Sequence, residues 1–287
     1  MSKRILAGLV CLTFWALTGS ALSQQQQQKP LPPPPAPQVE KAPAPVPAPA
    51  PAAACDPLQV AQQMCDFLQS QQQFTYKAEI SDDEVYYGGK KLQYETDAEF
   101  FVHRPDQLRV NGAGDRVDKE FYIDGKTLTL YDKGHNVYAT IEVPPDLEGA
   151  LDKAHKDYGM RVSLSELASP KLWEIVKNHI KHSLYVGESS IRGVLCHHLA
   201  FDGENVQWQW WVDAGAQPLL RKVVITYKEL EGSPQWTAYL SDWNFSPQLN
   251  PSLFTFTPSP GAQKIKFLPV GPTQAPKPEP GKKKEGG

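Results

Sequence analysis

The stretch RGVLCHHLAFDGENVQWQWWVDAG, residues 192–215, sets Cys196 beside His197 and His198, with Trp208, Trp210 and Trp211 close behind. Thiolate and imidazole bind zinc and copper and take part in nucleophilic catalysis, so these residue types could hold a metal or carry redox chemistry. The spacing argues against it. The run reads as a β-strand, in which successive side chains point to opposite faces. Cys196 and His198 then share one face with Val194 and Ala200, while His197 shares the other with Leu195, Leu199 and Phe201. The triplet offers at most one Cys/His pair to a metal, whereas structural zinc takes four ligands, typically in two local pairs. Haem attachment requires a further cysteine shortly before Cys196, and the chain has none there. Cys196 is therefore read as a small buried apolar residue.

The same alternation places Trp208 and Trp210 on one face with Val206 and Val212, and turns Trp211 away with Gln207 and Gln209. Aromatics on a curved sheet either fill the core or line a cavity. Trp208 and Trp210 are thus the candidate ligand-binding residues. His179 and His182 lie one turn apart near an expected helix end, where charge–dipole contact explains them without a metal. Asp82, Asp83 and Glu84 sit beside YYGGKK at an expected hairpin tip and read as a solvated turn. The chain has no Gly-x-Ser-x-Gly elbow, phosphate-binding glycine loop, His-Glu-x-x-His or spaced thiol pair. No catalytic residue, metal ligand or cofactor is expected, and the chain is read as a non-enzyme.

The elements that position these residues follow from periodicity. Asp56 and Pro57 cap and open a helix of about four turns, with Leu58, Ala61, Met64, Cys65 and Leu68 on one face. From Phe74 the period becomes two: Phe74, Tyr76, Ala78 and Ile80 alternate with polar residues, as do Leu92 through Val102 until HRPD stops the run at Pro105. LRVNG, KEFYI, TLTLYD and VYATIEV follow at tight spacing, joined by turns at 124–126 and 133–136 that use Gly and Asn for positive φ. There is no room between these strands for crossover helices, so antiparallel neighbours are expected. Two helices are expected next. One has Leu147, Ala150, Leu151, Ala154 and Tyr158 inward; the other, capped by Ser169, has Leu172, Ile175, Val176 and Ile180 inward. Five further strands end in WTAYLSDW, and a short strand is expected at FTF. No internal repeat is visible. The order describes an α+β domain around one strongly curved antiparallel sheet.

The ends are of another kind. Residues 1–23 have Lys3 and Arg4, an apolar run and a small-residue pair, Ala21 and Ser23, which is the pattern of an export signal peptide. An uncleaved anchor is the lesser alternative, because the apolar run contains two glycines and is marginal for a span of about 20 residues. Residues 24–54 are rich in Gln, Pro and Ala, a spacer that reaches on the order of 80–100 Å if fully extended. Residues 269–287 form a similar Pro/Lys/Gly tail, also expected to be disordered. Residues 55–268 remain for the folded domain. The formal net charge is −3, and removing Lys3 and Arg4 with the leader makes it −5. That balance does not call for nucleic acid. Export permits disulfides. The mature chain keeps Cys55, Cys65 and Cys196, so at least one is unpaired within the molecule. A Cys55–Cys65 bridge is left open: in one continuous helix the two stand about 15 Å apart, so Cys55 reaches only if the chain folds back before Asp56.

The motifs RPDQLRV, FYIDGKTLTLYD, GVLCHHLAF, QWQWWVDAGAQPLLRKVVITYK and FTPSPGAQKIKF together resemble a family of predicted periplasmic proteins, a domain of unknown function, that looks related to the lipoprotein carriers LolA and LolB. The resemblance covers about residues 58–268. It implies a half-barrel of antiparallel strands with helices covering the open side, a periplasmic location in the cell envelope, and a lipid, acyl chain or lipoprotein anchor as ligand. The family usually carries Asp before the first Trp of its Trp-Gln motif and an apolar residue two after that Trp; Gln207 and Trp210 stand there instead. The alternative reading is a structural or sensory protein that binds an envelope protein partner. N-terminal sequencing of the exported protein is expected to start near Gln24, and a start at Met1 would support the membrane-anchored alternative.

Overall fold

The computed structural model describes residues 55–268. The signal peptide, linker and tail expected at 1–23, 24–54 and 269–287 lie outside the described residues. Helix α1 (Pro57–Gln69) opens the domain, and Asp56 caps it by accepting a hydrogen bond from the Leu58 N–H. Val60, Ala61, Met64, Cys65 and Leu68 are buried. Leu58, expected inward, is 38% exposed.

Strands β1 (Gln73–Tyr86), β2 (Lys90–His103), β3 (Gln107–Gly114), β4 (Asp118–Asp124), β5 (Thr127–Asp132) and β6 (Val137–Glu142) follow as a meander. A helical segment holds α2 (Leu147–Tyr158), a 3-10 turn at Ser165–Ala168 and α3 (Leu172–Lys177). Strands β7 (His182–Ile191), β8 (Val194–Asp202), β9 (Val206–Asp213), β10 (Leu220–Tyr227) and β11 (Gln235–Asn244) make a second meander. β11 pairs antiparallel with β1, so the two meanders join into one open twelve-stranded sheet. Every pairing is antiparallel except that of the two-residue β12 (Gln263–Lys264) with β6. Twelve strands laid flat would span roughly 50 Å. Here Val110 of β3, Leu128 of β5, Phe201 of β8 and Val223 of β10 share one core with α1 and the helical segment. The sheet is therefore curved around its helices, the half-barrel that the resemblance implied.

Two predicted elements differ. The helix expected to start at Ser169 is confined to Leu172–Lys177; Ser169 Oγ accepts instead from the Lys171 N–H, and only Leu172 of the inward set is fully buried. FTF is not a strand. Pro251–Phe254 is a 3-10 turn, and a chain interrupted by Pro258 and Pro260 lacks the donors for a ladder. Phe256 packs instead on Tyr122, Tyr131 and Tyr138, at ring distances of 5.5, 5.2 and 4.9 Å.

One side chain ties the sheet to its helices. Arg104 follows the end of β2 and is only 6% exposed. Its guanidinium donates to the Leu68 and Gln71 carbonyls at the end of α1 and to the Leu167, Ala168 and Ser169 carbonyls around the 3-10 turn. Carbonyls at helix ends lack intrahelical donors and carry the negative end of the helix dipole, so a buried cation is matched there without a carboxylate. Burial lowers the Arg104 pKa to about 10, which leaves it charged at neutral pH. Arg104→Leu is expected to cost about 3 kcal/mol or more in urea unfolding, since buried carbonyls lose a charged donor. Arg104→Lys should recover little, because an ammonium cannot fork to both helix ends.

Candidate ligand cavity

The inward faces of β1 to β5 are built in register. Tyr76, Phe100, Val110, Phe121 and Leu130 form one row across these strands. The neighbouring row runs Ala78, Ala98, Gly112 and Lys119. Small side chains in the second row, beside large ones in the first, leave a hollow under the helical segment. Its volume is about 430 Å³. Ile80, Ala98, Phe100, Val110, Phe121 and Leu130 make an apolar floor, and residues 160–163 form the roof. Asp82, Lys119, Arg161 and Trp236 stand at its edge. Burial raises the Asp82 carboxyl above its ordinary value, and Arg116 opposes that shift.

The roof is a thin wall. Met160, Arg161 and Val162 line this cavity on one side, and on the other a larger cleft of about 910 Å³ between α2 and α3. Gly159 ends α2 in the left-handed region at φ 66°, and Leu164 beyond the roof is also left-handed at φ 67°. The roof is pinned at Leu164, whose carbonyl accepts from the buried Tyr76 hydroxyl at 3.0 Å. Tyr76 is itself stacked between Phe100 and Trp243, at 4.4 and 4.6 Å. Trp243 reaches this face because β1 and β11 slip register between Thr75 and Lys77, where Asp242 adopts φ 53°.

Trp208 and Trp210 lie on the inward face as the alternation required, 8% and 7% exposed, both packed on Phe201. They are on the same floor as the cavity but not in its wall. Phe201, Trp208, Ile225, Trp236 and Asp82 are cross-strand partners in one row, of which Trp236 and Asp82 line the hollow. Trp236, Ala98 and Gly112 were not singled out in the sequence. The signal for them was a pair of small residues at inward positions of adjacent strands.

The CHH triplet divides as its alternation required. Cys196 is buried with Trp211 and Val224 in a small cluster on the outer face, packed against Ile191 and Val194. His198 stacks on Trp211 at 4.1 Å and bonds Gln209 Oε1 at 2.9 Å. His197 is on the other face, with Nδ1 3.0 Å from the Tyr185 hydroxyl. Trp211, which points away from the core, is nonetheless only 8% exposed. The tip of the β7–β8 hairpin covers it, and Arg192 at that tip makes a bidentate ion pair with Glu79 of β1. His179 and His182 do not share a helix: α3 ends at Lys177 and His182 begins β7. Asp82, Asp83 and Glu84 lie within β1 rather than at its turn. Lys91 faces Asp83, and Arg116 pairs with Glu84. Among the described residues no group of three or more His, Cys, Asp or Glu comes together, and no helix is long and apolar enough to cross a membrane.

Cys55, Cys65 and Cys196 are all unbridged. Burial pushes the Cys65 thiol up to about 12 and the Cys196 thiol up to about 11, so neither is a thiolate at neutral pH. In chains starting at Gln24, a thiol reagent at pH 7 is expected to label Cys55 in the native state and the other two only after unfolding. Cys196→Ala should cost about 1 kcal/mol and leave zinc and copper content at background. Native labelling of Cys196 would mean that the β7–β8 tip opens freely.

A comparison with curated proteins finds no match. Among solved structures, the chain is similar to an uncharacterised conserved protein from Thermus thermophilus (TM-score 0.43, 9% identity, covering 72% of this chain and 97% of that one). It is also similar to LprF from Mycobacterium bovis (TM-score 0.43, 15% identity, 68% and 96% covered). A LolA superfamily protein from Nitrosomonas europaea is another such likeness (TM-score 0.35, 11% identity, 71% and 99% covered). Residues 58–268, nearly the whole of the described domain, match the family described as predicted periplasmic protein, DUF2092. The chain belongs to that family, and the periplasm is its compartment.

Proposed function

We propose that the domain is a periplasmic binding module, without catalytic activity, that holds an apolar ligand in the hollow over β1 to β5. The cavity carries this reading. Beside Ala98 and Gly112 a partly open hollow of about 430 Å³ has an apolar floor, a volume within the range of small-molecule sites. An acyl chain, whether of a free lipid or of a lipoprotein anchor, matches such a floor because it asks for no hydrogen bonds there. The roof, residues 160–163, separates this hollow from the cleft between α2 and α3, and its lifting would join the two spaces. Trp208 and Trp210 extend the floor beyond Trp236, and we assign them to the surface that a longer ligand meets as the roof lifts.

Trp236 makes the reading testable by fluorescence. Titrating 1-palmitoylglycerol into delipidated protein is expected to shift tryptophan emission and saturate it. Trp236→Phe should remove most of the signal while binding persists by equilibrium dialysis. Gly112→Leu should abolish binding while the far-UV spectrum stays unchanged. A Cβ at Gly112 meets Val117 Cγ1 only at 3.4 Å, so the larger side chain has a place to stand in the hollow. A folded protein with no saturable response to any acyl ligand would overturn the reading in favour of an envelope protein partner.

A further inference from the structure

The edge of the cavity carries two cations, Lys119 and Arg161, and one carboxylate, Asp82. Of the cations there, Lys119 has a carboxylate, Asp132, at 4.0 Å. Arg161 has none: among the described residues its hydrogen-bond partner is the ring of His155, with Nη2 3.0 Å from Nε2. Glu166 is close enough to feel its charge but makes no ion pair with it. Arg161 is part of the roof itself, between Met160 and Val162, and lines both the hollow and the outer cleft. An exposed arginine beside an apolar hollow is a fork-shaped receptor for a carboxylate or phosphate. Asp82 stands on the same edge and would repel a second negative charge.

Resting on the binding reading above, we infer that the cavity takes a single-chain amphiphile with an anionic head, its acyl chain on the floor of β1 to β5 and its carboxylate or phosphate on Arg161. The volume supports one chain rather than the several of a lipoprotein anchor, since about 430 Å³ lies toward the small end of ligand sites. Arg161 is exposed and makes no buried contact that the fold needs, so its substitution tests recognition rather than stability.

The experiment compares heads on a constant chain. Palmitate, palmitoyl lysophosphatidic acid and 1-palmitoylglycerol are titrated at pH 8 into the protein, its Arg161→Gln variant and its Arg161→Lys variant. The wild type should bind at least one of the two anions about tenfold more tightly than the glycerol ester, a difference that corresponds to one charge-assisted contact. The relative affinity of palmitate and the lysophosphatidic acid tells carboxylate from phosphate. Arg161→Gln should close the gap between the anions and the glycerol ester, and Arg161→Lys should keep part of it. Equal affinities in the wild type, or a preference that survives Arg161→Gln, would overturn the assignment of Arg161 while leaving the cavity reading intact. Tighter binding of a triacylated lipopeptide than of palmitate would overturn the single-chain inference. Binding of none of these would overturn both.

Discussion

A single guanidinium, that of Arg104, spends its donors on five backbone carbonyls of two separate helical elements. This sets the geometry on which the cavity depends. The concave sheet must be covered, since its floor is apolar and would otherwise face water. The helices that cover it end over β2, and helix ends are where backbone carbonyls lack partners. Arg104 resolves both constraints at one point, and its cation also lies 5.2 Å from the ring centre of Phe74. With α1 and the 3-10 turn fixed there, residues 160–163 span the gap between α2 and that turn. The hollow survives because its roof hangs between fixed points rather than settling onto Ala98 and Gly112.

The sheet is buried on parts of both faces, and that separates it from a simple concave receptor. On the outer side a tyrosine cluster lies under Phe256, and Trp211 with Cys196 lies under the β7–β8 tip. The inner face carries the main core. The costs of curvature fall at a few irregular positions, among them Asp242 and Gly187, each beside a register slip.

Much of this was legible in the sequence where a short-range rule governs it. Asp56 with Pro57 marked the start of α1, and period two put Phe74 with Tyr76, and Trp208 with Trp210, on one face each; Cys196 read as a buried core residue, whereas it packs in a separate cluster on the outer face. Where distant segments decide the outcome, the sequence was silent. HRPD read as the end of a strand, because the partners of Arg104 are carbonyls, which every residue possesses. Trp211 was correctly turned outward, but the hairpin tip that packs over it and pairs Arg192 with Glu79 is a contact between distant segments that no alternation pattern reveals. FTF had the composition of a strand and lost its ladder to nearby prolines. The hollow itself required knowing that Ala98 and Gly112 face each other across β2 and β3, which is a statement about register rather than composition.

The pairing of β1 with β11 has a consequence for the life of the chain before it is folded. Each meander is a local structure, but the two become one sheet only when the first strand meets the last long one; Gln73 reaches the Pro247 carbonyl across 174 residues of sequence. Closing so long a loop is entropically costly, and such contacts slow folding. A nascent chain therefore cannot complete this sheet until nearly all of the domain has been synthesised.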